Sequence, residues 1–145
     1  MFQHVLIPTD GSELAEKAIR NGVALAKEQG AKITALTVFR PFHVMTLEPE
    51  MLADTPAAYA KHVTERTKNY LEVVSQAAKA AGVTCDTISL EHEHPYQGII
   101  ETAQRRDCDL IVMTSHGRSG MSGVVLGSQA VKVLTHSKVP VLVYR

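Results

Sequence analysis

Residues 5–12 read VLIPTDGS, and this stretch decides the fold. Its three leading apolar residues are typical of a buried strand, which stops at Pro8. Ser12 follows as a helix N-cap, and Glu13 and Glu16 stand in the first turns of a helical pattern, where acidic side chains are favoured. The stretch therefore predicts a strand that passes within a few residues into a helix, which is the first half of a β-α-β unit.

Four more short apolar runs follow along the chain. They lie at residues 33–39 (ITALTVF), 84–90 (TCDTISL), 110–113 (LIVM) and 139–144 (VPVLVY). Continuous Val, Ile and Leu runs are typical of strands covered on both faces, whereas the alternating run at 84–90 predicts an edge or half-buried strand. Pro140, near the start of the last run, indicates a strand entrance or an edge position.

Helical periodicity fills the intervals between these runs. The apolar stripes lie at residues 15–26, 63–81, 99–103 and 128–136. Gly30 and Gly82 end the first two stripes as C-caps, and Val131 and Leu134 are expected on one face of the last helix. The β-α-β-α-β-α-β-α-β order predicts an α/β fold, an open parallel sheet with helices on both faces.

Composition limits the possible functions. The chain has 145 residues, with 15 Lys and Arg against 15 Asp and Glu, so it suits one domain (residues 1–145) and has no basic excess to neutralise nucleic-acid phosphates. It has no apolar run of membrane-spanning length, and its first residues do not resemble a signal peptide. Cys85 and Cys108 are too few for a disulfide framework. We expect a reduced, cytoplasmic protein with no nucleic-acid or membrane partner.

One segment breaks the regular alternation. Residues 40–57 carry Pro41, Pro49 and Pro56 and are too long for a routine connection. Such a loop is usually functional or mobile.

A binding site is expected where the strands end. In an open parallel sheet, ligands bind beyond the carboxyl ends of the strands, where the strand order reverses. Four of the nine glycines lie between Gly117 and Gly127, next to the start of the last helix, and Arg118 is the only charged residue between Leu110 and Val131. A glycine-rich loop, a helix N-terminus and one arginine favour phosphate binding, although a flexible surface loop has a similar composition.

Asp10 is the second candidate, because it follows the first strand. Its carboxylate is suited to ribose hydroxyls or to Mg²⁺ beside phosphates. An Asp turn before the first helix explains the same residue equally well.

Other chemistries are disfavoured. The sequence has no P-loop, no G-x-G-x-x-G run and no G-x-S-x-G nucleophile elbow. Ser128 has no identifiable base partner, and His92 and His94 have no third metal ligand nearby. A flavin carrier or a phosphoacceptor receiver suits the fold class, but the chain has few aromatic residues and no acidic pair beside Asp10.

Three stretches resemble the universal stress protein family. They are residues 5–12 (VLIPTDGS), 109–120 (DLIVMTSHGRSG) and 126–128 (LGS) leading to 140–143 (PVLV). The resemblance implies a five-stranded Rossmann-like sheet of order 3-2-1-4-5 with two helices on each face, as in the adenine-nucleotide α-hydrolase-like fold. It also implies a homodimer paired through the last strand, at Val139, Val141, Leu142 and Val143.

The resemblance extends to a nucleotide site. ATP-binding members carry G-x2-G-x9-G-[S/T], and here Thr114 replaces the first glycine while Gly117, Gly127 and Ser128 match. A side chain at position 114 would crowd the sugar or would offer it a hydroxyl. The resemblance places Asp10 at ribose or metal, Val38 at adenine and Met113 under the nucleotide. The implied nucleotide-binding residues are Pro8, Thr9, Asp10, Val38, Met113, Thr114, His116, Gly117, Arg118, Gly127, Ser128 and Gln129. The last five of these are implied to surround the phosphates.

The resemblance and the glycine loop together predict a cytoplasmic stress-response protein. It would bind ATP (or ADP or AMP) with Mg²⁺, act as a nucleotide-gated regulatory homodimer toward an unknown protein partner, and be at most a slow ATPase rather than a turnover enzyme. The alternative is a dimeric interaction module with a non-functional nucleotide pocket, and Thr114 supports it.

Overall fold

Strands and helices alternate in the computed structural model, which describes residues 1–42, 55–116 and 126–145. In chain order, the described elements are β1 (His4–Pro8), α1 (Glu13–Gln29), β2 (Lys32–Phe39), α2 (Pro56–Ala81), β3 (Cys85–Glu91), α3 (Pro95–Arg105), β4 (Leu110–Thr114), α4 (Ser128–His136) and β5 (Val141–Tyr144).

The strands form one parallel sheet in the order β3-β2-β1-β4-β5. β1 is central: Val5 lies opposite Ile33 of β2 on one side and opposite Leu110 of β4 on the other. This confirms the expected order 3-2-1-4-5. The chain runs outward from β1 in both directions, so the order reverses between β1 and β4, and the carboxyl ends of these two strands lie side by side.

Two helices cover each face of the sheet. Val5 and Ile7 pack with α1 and α2, while Leu6 packs with α3 and α4. All three side chains are fully buried, which explains why the first strand is a continuous apolar run.

The helix ends follow local chemistry. The Ser12 hydroxyl accepts the Ala15 N–H at 3.2 Å, and Gly30 ends α1 in the left-handed conformation, with φ 68°. α2 begins at Pro56, after the Thr55 N-cap, because proline is favoured in the first turn. The helix therefore includes the last two residues of the segment predicted as a loop at 40–57, and residues 43–54 of that segment lie outside the described residues.

Two details of the carboxyl-terminal third differ from expectation. Val131 and Leu134 do share a face of α4, but they are 45% and 43% exposed, and α4 packs on the sheet through Ala130 and Val133 instead. β5 begins at Val141 rather than at residue 139. Residues 139 and 140 precede the strand, and the Pro140 carbonyl accepts the Ile111 N–H at 2.9 Å.

The edge position of β3 agrees with the sequence pattern. β3 lies at one end of the described sheet, and from Thr87 to Glu91 its residues alternate between exposed and half-buried positions. Cys108 is buried and Cys85 half-buried. Burial raises the pKa of both thiols, and together with the nearby Asp109 carboxylate it raises that of Cys108 to about 11. Among the helices described, none combines the length and apolar character needed to cross a membrane.

Candidate functional site

The chain leaves β1 through a hydrogen-bonded turn. Thr9 is buried, and its N–H donates to the Leu36 carbonyl at 2.8 Å. Its hydroxyl accepts the Gly11 N–H at 3.2 Å, and Asp10 Oδ1 accepts the Ser12 N–H at 3.0 Å. The Asp turn considered from the sequence is therefore present, and it fixes the Asp10 carboxylate at the end of the central strand.

Gly11 is required at this turn for two reasons. Its φ is +76°, a conformation that other residues rarely adopt, and a Cβ atom built on it would lie 2.1 Å from Cε1 of Tyr70. The ring of Tyr70 on α2 thus packs directly on the backbone of the turn that carries Asp10.

The end of β4 forms a second turn. The Thr114 hydroxyl donates to the His116 carbonyl at 2.7 Å, and the Ser115 N–H donates to the Tyr144 carbonyl at 2.7 Å. The Ser115 hydroxyl lies 2.9 Å from Nδ1 of His116. Thr114 therefore uses its hydroxyl proton within the turn, and its side chain is held in one orientation.

His116 lies against the start of α4. Its Nε2 atom is buried and has no hydrogen-bond partner among residues 1–42, 55–116 and 126–145. Gly117 and Arg118, which were predicted to surround the phosphates, follow it directly and lie outside the described residues.

Gly127 precedes α4 and is needed for space rather than for an unusual backbone conformation. Its φ of −70° and ψ of 161° suit any residue, but an added Cβ would lie 3.0 Å from the Ser115 carbonyl oxygen. No described side chain caps the first turn of α4. A helix N-terminus whose first N–H groups have no side-chain acceptor among residues 1–42, 55–116 and 126–145 suits an anion.

A cavity of about 120 Å³ lies between these two turns. From the predicted nucleotide-binding residues, the structure brings together Pro8, Thr9, Asp10, Val38, Met113, Thr114 and Gln129 around it. His116, Gly127 and Ser128 lie within two positions of Thr114 or Gln129 in the chain but do not line the cavity.

Five further residues line the cavity and were missed in the sequence. They are Ala15, Leu36, Pro95, Ile99 and Ala130. Leu36 could have been found, because it is two positions from Val38 and so faces the same side of β2. No local feature of the sequence predicts that Pro95 and Ile99, in the first turns of α3, lie at this site.

The cavity wall is mostly apolar. Leu36, Val38, Ile99 and Met113 provide hydrophobic surface, and Asp10 is the only charged side chain among the described lining residues. A cavity of this size is smaller than the ~300–1,000 Å³ of a typical ligand pocket. The described walls therefore suit one flat apolar ring system, with a carboxylate placed for a polar group attached to it.

The described residues offer limited means of holding a metal. They contain no cluster of three His, Cys, Asp or Glu side chains with suitable geometry. His92 Nδ1 accepts the His94 N–H at 2.9 Å, so this nitrogen is already used within the chain. Asp10 supplies one carboxylate, which fits Mg²⁺ only where phosphates and water complete the coordination.

Comparison with known proteins shows which family the chain resembles. Residues 1–145 match the family model described as "Universal stress protein family". Universal stress protein YxiE of Bacillus subtilis is 34% identical over 149 aligned residues, which cover 100% of both chains.

Two solved structures share the architecture. Protein MJ0577, of Methanocaldococcus jannaschii, superposes with a TM-score of 0.82 at 27% identity, covering 99% of this chain and 95% of that one. A universal stress protein solved in complex with cAMP has a TM-score of 0.71 at 25% identity, covering 99% of this chain and 97% of that one.

Proposed function

The chain belongs to the universal stress protein family, and from this we propose that it binds an adenine nucleotide in the cavity between β1 and β4. The observation that carries the proposal is the convergence of Pro8, Asp10, Val38, Met113 and Thr114, from three separate strands and their exits, on one apolar cavity at the switch point of the sheet. The similar protein solved with cAMP supports an adenine ligand.

Each part of a nucleotide has a suitable counterpart. The apolar side chains of Leu36, Val38 and Met113 suit a purine ring, and the Asp10 carboxylate suits ribose hydroxyl groups. The first turn of α4, which lacks a described side-chain cap, suits phosphate oxygens. We propose ATP as the ligand, with Mg²⁺ held between Asp10 and the phosphates; ADP and AMP use the same contacts.

We propose binding without rapid turnover. Among the described lining residues, Asp10 is the only ionisable group, and its Oδ1 already accepts the Ser12 N–H. Fast phosphoryl transfer needs a positioned base or water-orienting residue together with charge stabilisation. We expect ATP hydrolysis to be slow at most.

We further propose a homodimer that forms through β5. This strand is at one edge of the described sheet, and its Leu142 is 36% exposed. Val139, Val141 and Val143 are half-buried beside it, and Val131 and Leu134 on α4 are also exposed. An exposed apolar edge strand needs a partner or protection, and a second copy supplies one.

α4 connects the nucleotide to this surface. Gln129 and Ala130 in its first turns line the cavity, while Val131 and Leu134 lie on its exposed face. We propose that nucleotide occupancy holds the first turn of α4 against the cavity and so changes the surface presented to a partner protein in the cytoplasm. The chain is then a nucleotide-gated regulator in the stress response.

Calorimetric titration tests the proposal. Protein freed of co-purified nucleotide is titrated with ATP and Mg²⁺, and then with ADP, AMP and cAMP. We expect saturable heat for the wild type and none for Gly127→Val, with Gly82→Ala as the matched glycine control far from the cavity. Circular dichroism of each variant separates loss of binding from loss of folding. No heat with any nucleotide would favour the alternative, an interaction module in which Thr114 and the small cavity exclude the ligand.

A further inference from the structure

Gln129 joins the first turns of two helices. Its side-chain Oε1 accepts the backbone N–H of Tyr96 at 3.0 Å, across a separation of 33 residues. Gln129 lies at the start of α4 and Tyr96 at the start of α3. Both turns border the cavity, through Gln129 itself and through Pro95.

This bond satisfies a group that α3 leaves open. The first N–H groups of a helix have no partner within it, and His94, the N-cap of α3, makes no side-chain capping bond. Pro95 has no N–H, and the N–H groups of Gln97 and Gly98 donate to the His94 carbonyl at 3.0 and 3.2 Å. Tyr96 is the remaining donor, and α4 provides its acceptor.

The Tyr96 ring makes a second connection to α4. Its centroid lies 5.6 Å from that of His136, and the Lys132 ammonium lies 5.4 Å above the ring. On the sheet side, a Cβ atom on Gly98 would lie 3.2 Å from Val38, so α3 already packs closely on the wall of the cavity. The position of α3 is therefore set by α4 at its first turn and by β2 beneath it.

We propose that Gln129 is a positioning residue of the nucleotide pocket. Its hydrogen bond to Tyr96 holds the first turns of α3, and with them Pro95 and Ile99, at the spacing from Val38 and Met113 that a purine ring needs. This inference rests on the proposed nucleotide binding. It gives Gln129 a role on the base side of the cavity, in place of the phosphate contact that the family resemblance implies.

A pair of ligands distinguishes the two roles. Gln129→Met keeps the side-chain length and removes the acceptor, while Gln129→Glu keeps an acceptor for the Tyr96 N–H. If Gln129 positions the wall, Gln129→Met lowers the affinities for adenosine and for ATP by the same factor, about tenfold for one lost hydrogen bond. Gln129→Glu should then bind adenosine as tightly as the wild type. A lower affinity for ATP alone, with an unchanged affinity for adenosine, would show a phosphate contact and overturn the inference.

Hydrogen exchange supplies a readout that needs no ligand. In Gln129→Met, the Tyr96 amide should exchange about tenfold faster, while the Gly98 amide, which donates to His94, keeps its rate. Unchanged Tyr96 exchange would refute the bond on which the inference depends. If the wild type binds neither adenosine nor ATP, the proposed function fails together with the pocket role, and the exchange of Tyr96 still reports whether the two helices are joined.

Discussion

The backbone N–H of Gly127 donates to the carbonyl oxygen of Ser115, with 2.6 Å between nitrogen and oxygen. The bond joins the end of β4 to the start of α4, and so closes the base of the segment from residue 116 to residue 126. The two backbones approach so closely that a Cβ atom at position 127 would lie 3.0 Å from the Ser115 carbonyl oxygen, so a side chain there would require this carbonyl to shift by a few tenths of an ångström.

Gly127→Ala should therefore reduce nucleotide affinity by about tenfold or more, because the added Cβ displaces the Ser115 carbonyl and the first turn of α4 with it. Titration calorimetry measures the effect. Gly82→Ala is the control: it forces a left-handed residue and costs about 1 kcal/mol of stability, but its Cβ would meet no atom within 4 Å and lies far from the cavity. Equal affinities of wild type and Gly127→Ala would contradict the close approach.

Gly11 and Tyr70 should be energetically coupled. Gly11→Ala in the wild type meets both the left-handed φ and the Tyr70 ring, whereas in a Tyr70→Ala background only the strain of about 1–2 kcal/mol remains. Urea denaturation of the two single variants and the double variant gives the coupling free energy. The same cost of Gly11→Ala in both backgrounds would argue against the contact.

Asp109 should stabilise the entry to β1. Its Oδ2 accepts the Gln3 N–H at 2.8 Å and its Oδ1 accepts the His4 N–H at 3.0 Å. Asp109→Ala should lower the free energy of unfolding by about 1–3 kcal/mol, and Asp109→Asn by less, because one acceptor remains. Asp86→Ala, at an exposed position on β3, is the control in the same denaturation series. An equal decrease in the free energy of unfolding in both Asp109 variants would mean that the carboxylate charge, rather than the acceptor geometry, stabilises the strand.

His4 should make stability depend on pH. Its ring lies 2.7 Å from the Thr34 hydroxyl, and burial, followed by the positive charge of Lys32, lowers its pKa below 6.5. The unfolded chain therefore binds a proton at a higher pH than the folded one. The contribution of neutral His4 is complete above pH 6.5 and declines as the pH falls through 6.5 toward the folded-state pKa.

Denaturation at a series of pH values from about 7.5 to about 5 checks this. His4→Gln keeps a polar side chain that does not titrate, so its stability should change less over this range than that of the wild type. His136→Gln, on the exposed end of α4, serves as the control. Parallel curves for wild type and His4→Gln would rule out His4 as the source.

Leu142→Lys should produce a monomer if β5 forms the proposed dimer interface, because it places a charge on an exposed apolar edge strand. Light scattering after size exclusion should give twice the 15.8 kDa chain mass for the wild type and the single mass for the variant. Val73→Lys adds the same charge at a 48% exposed position on α2 and should leave the dimer intact. A monomeric wild type would contradict the proposed assembly.

Local sequence signals predicted much of the fold, because strand runs and helix caps are local features. The burial of Val5, Leu6 and Ile7 and the ends of α1 follow directly from residues 5–30. The strand order came from the family resemblance. The buried face of α4 could not be predicted from hydrophobicity, since Ala130 is less apolar than Val131, yet it is the residue that packs on the sheet.

The residues of the candidate site also fall into those that the sequence predicts and those that it does not. Asp10 and Thr114 were identifiable because they stand at strand ends, where the switch-point rule places ligands. The contribution of Pro95 and Ile99 was not, because it depends on how α3 and α4 dock over the sheet. That docking rests on single contacts between distant residues, such as Gln129 with Tyr96, which leave no periodic trace in the sequence.

The central position of β1 has a consequence for folding during synthesis. β1 pairs with β2 and with β4, and β4 begins more than a hundred residues after β1, at Leu110. Until β4 has been synthesised, one edge of β1 has no partner in the sheet, and the cavity beside Asp10 lacks the wall that Met113, Thr114, Gln129 and Ala130 provide. The proposed ligand site therefore cannot form before β4 and α4 have been synthesised, and a nascent chain that ends before Leu110 would gain no stability from the ligand.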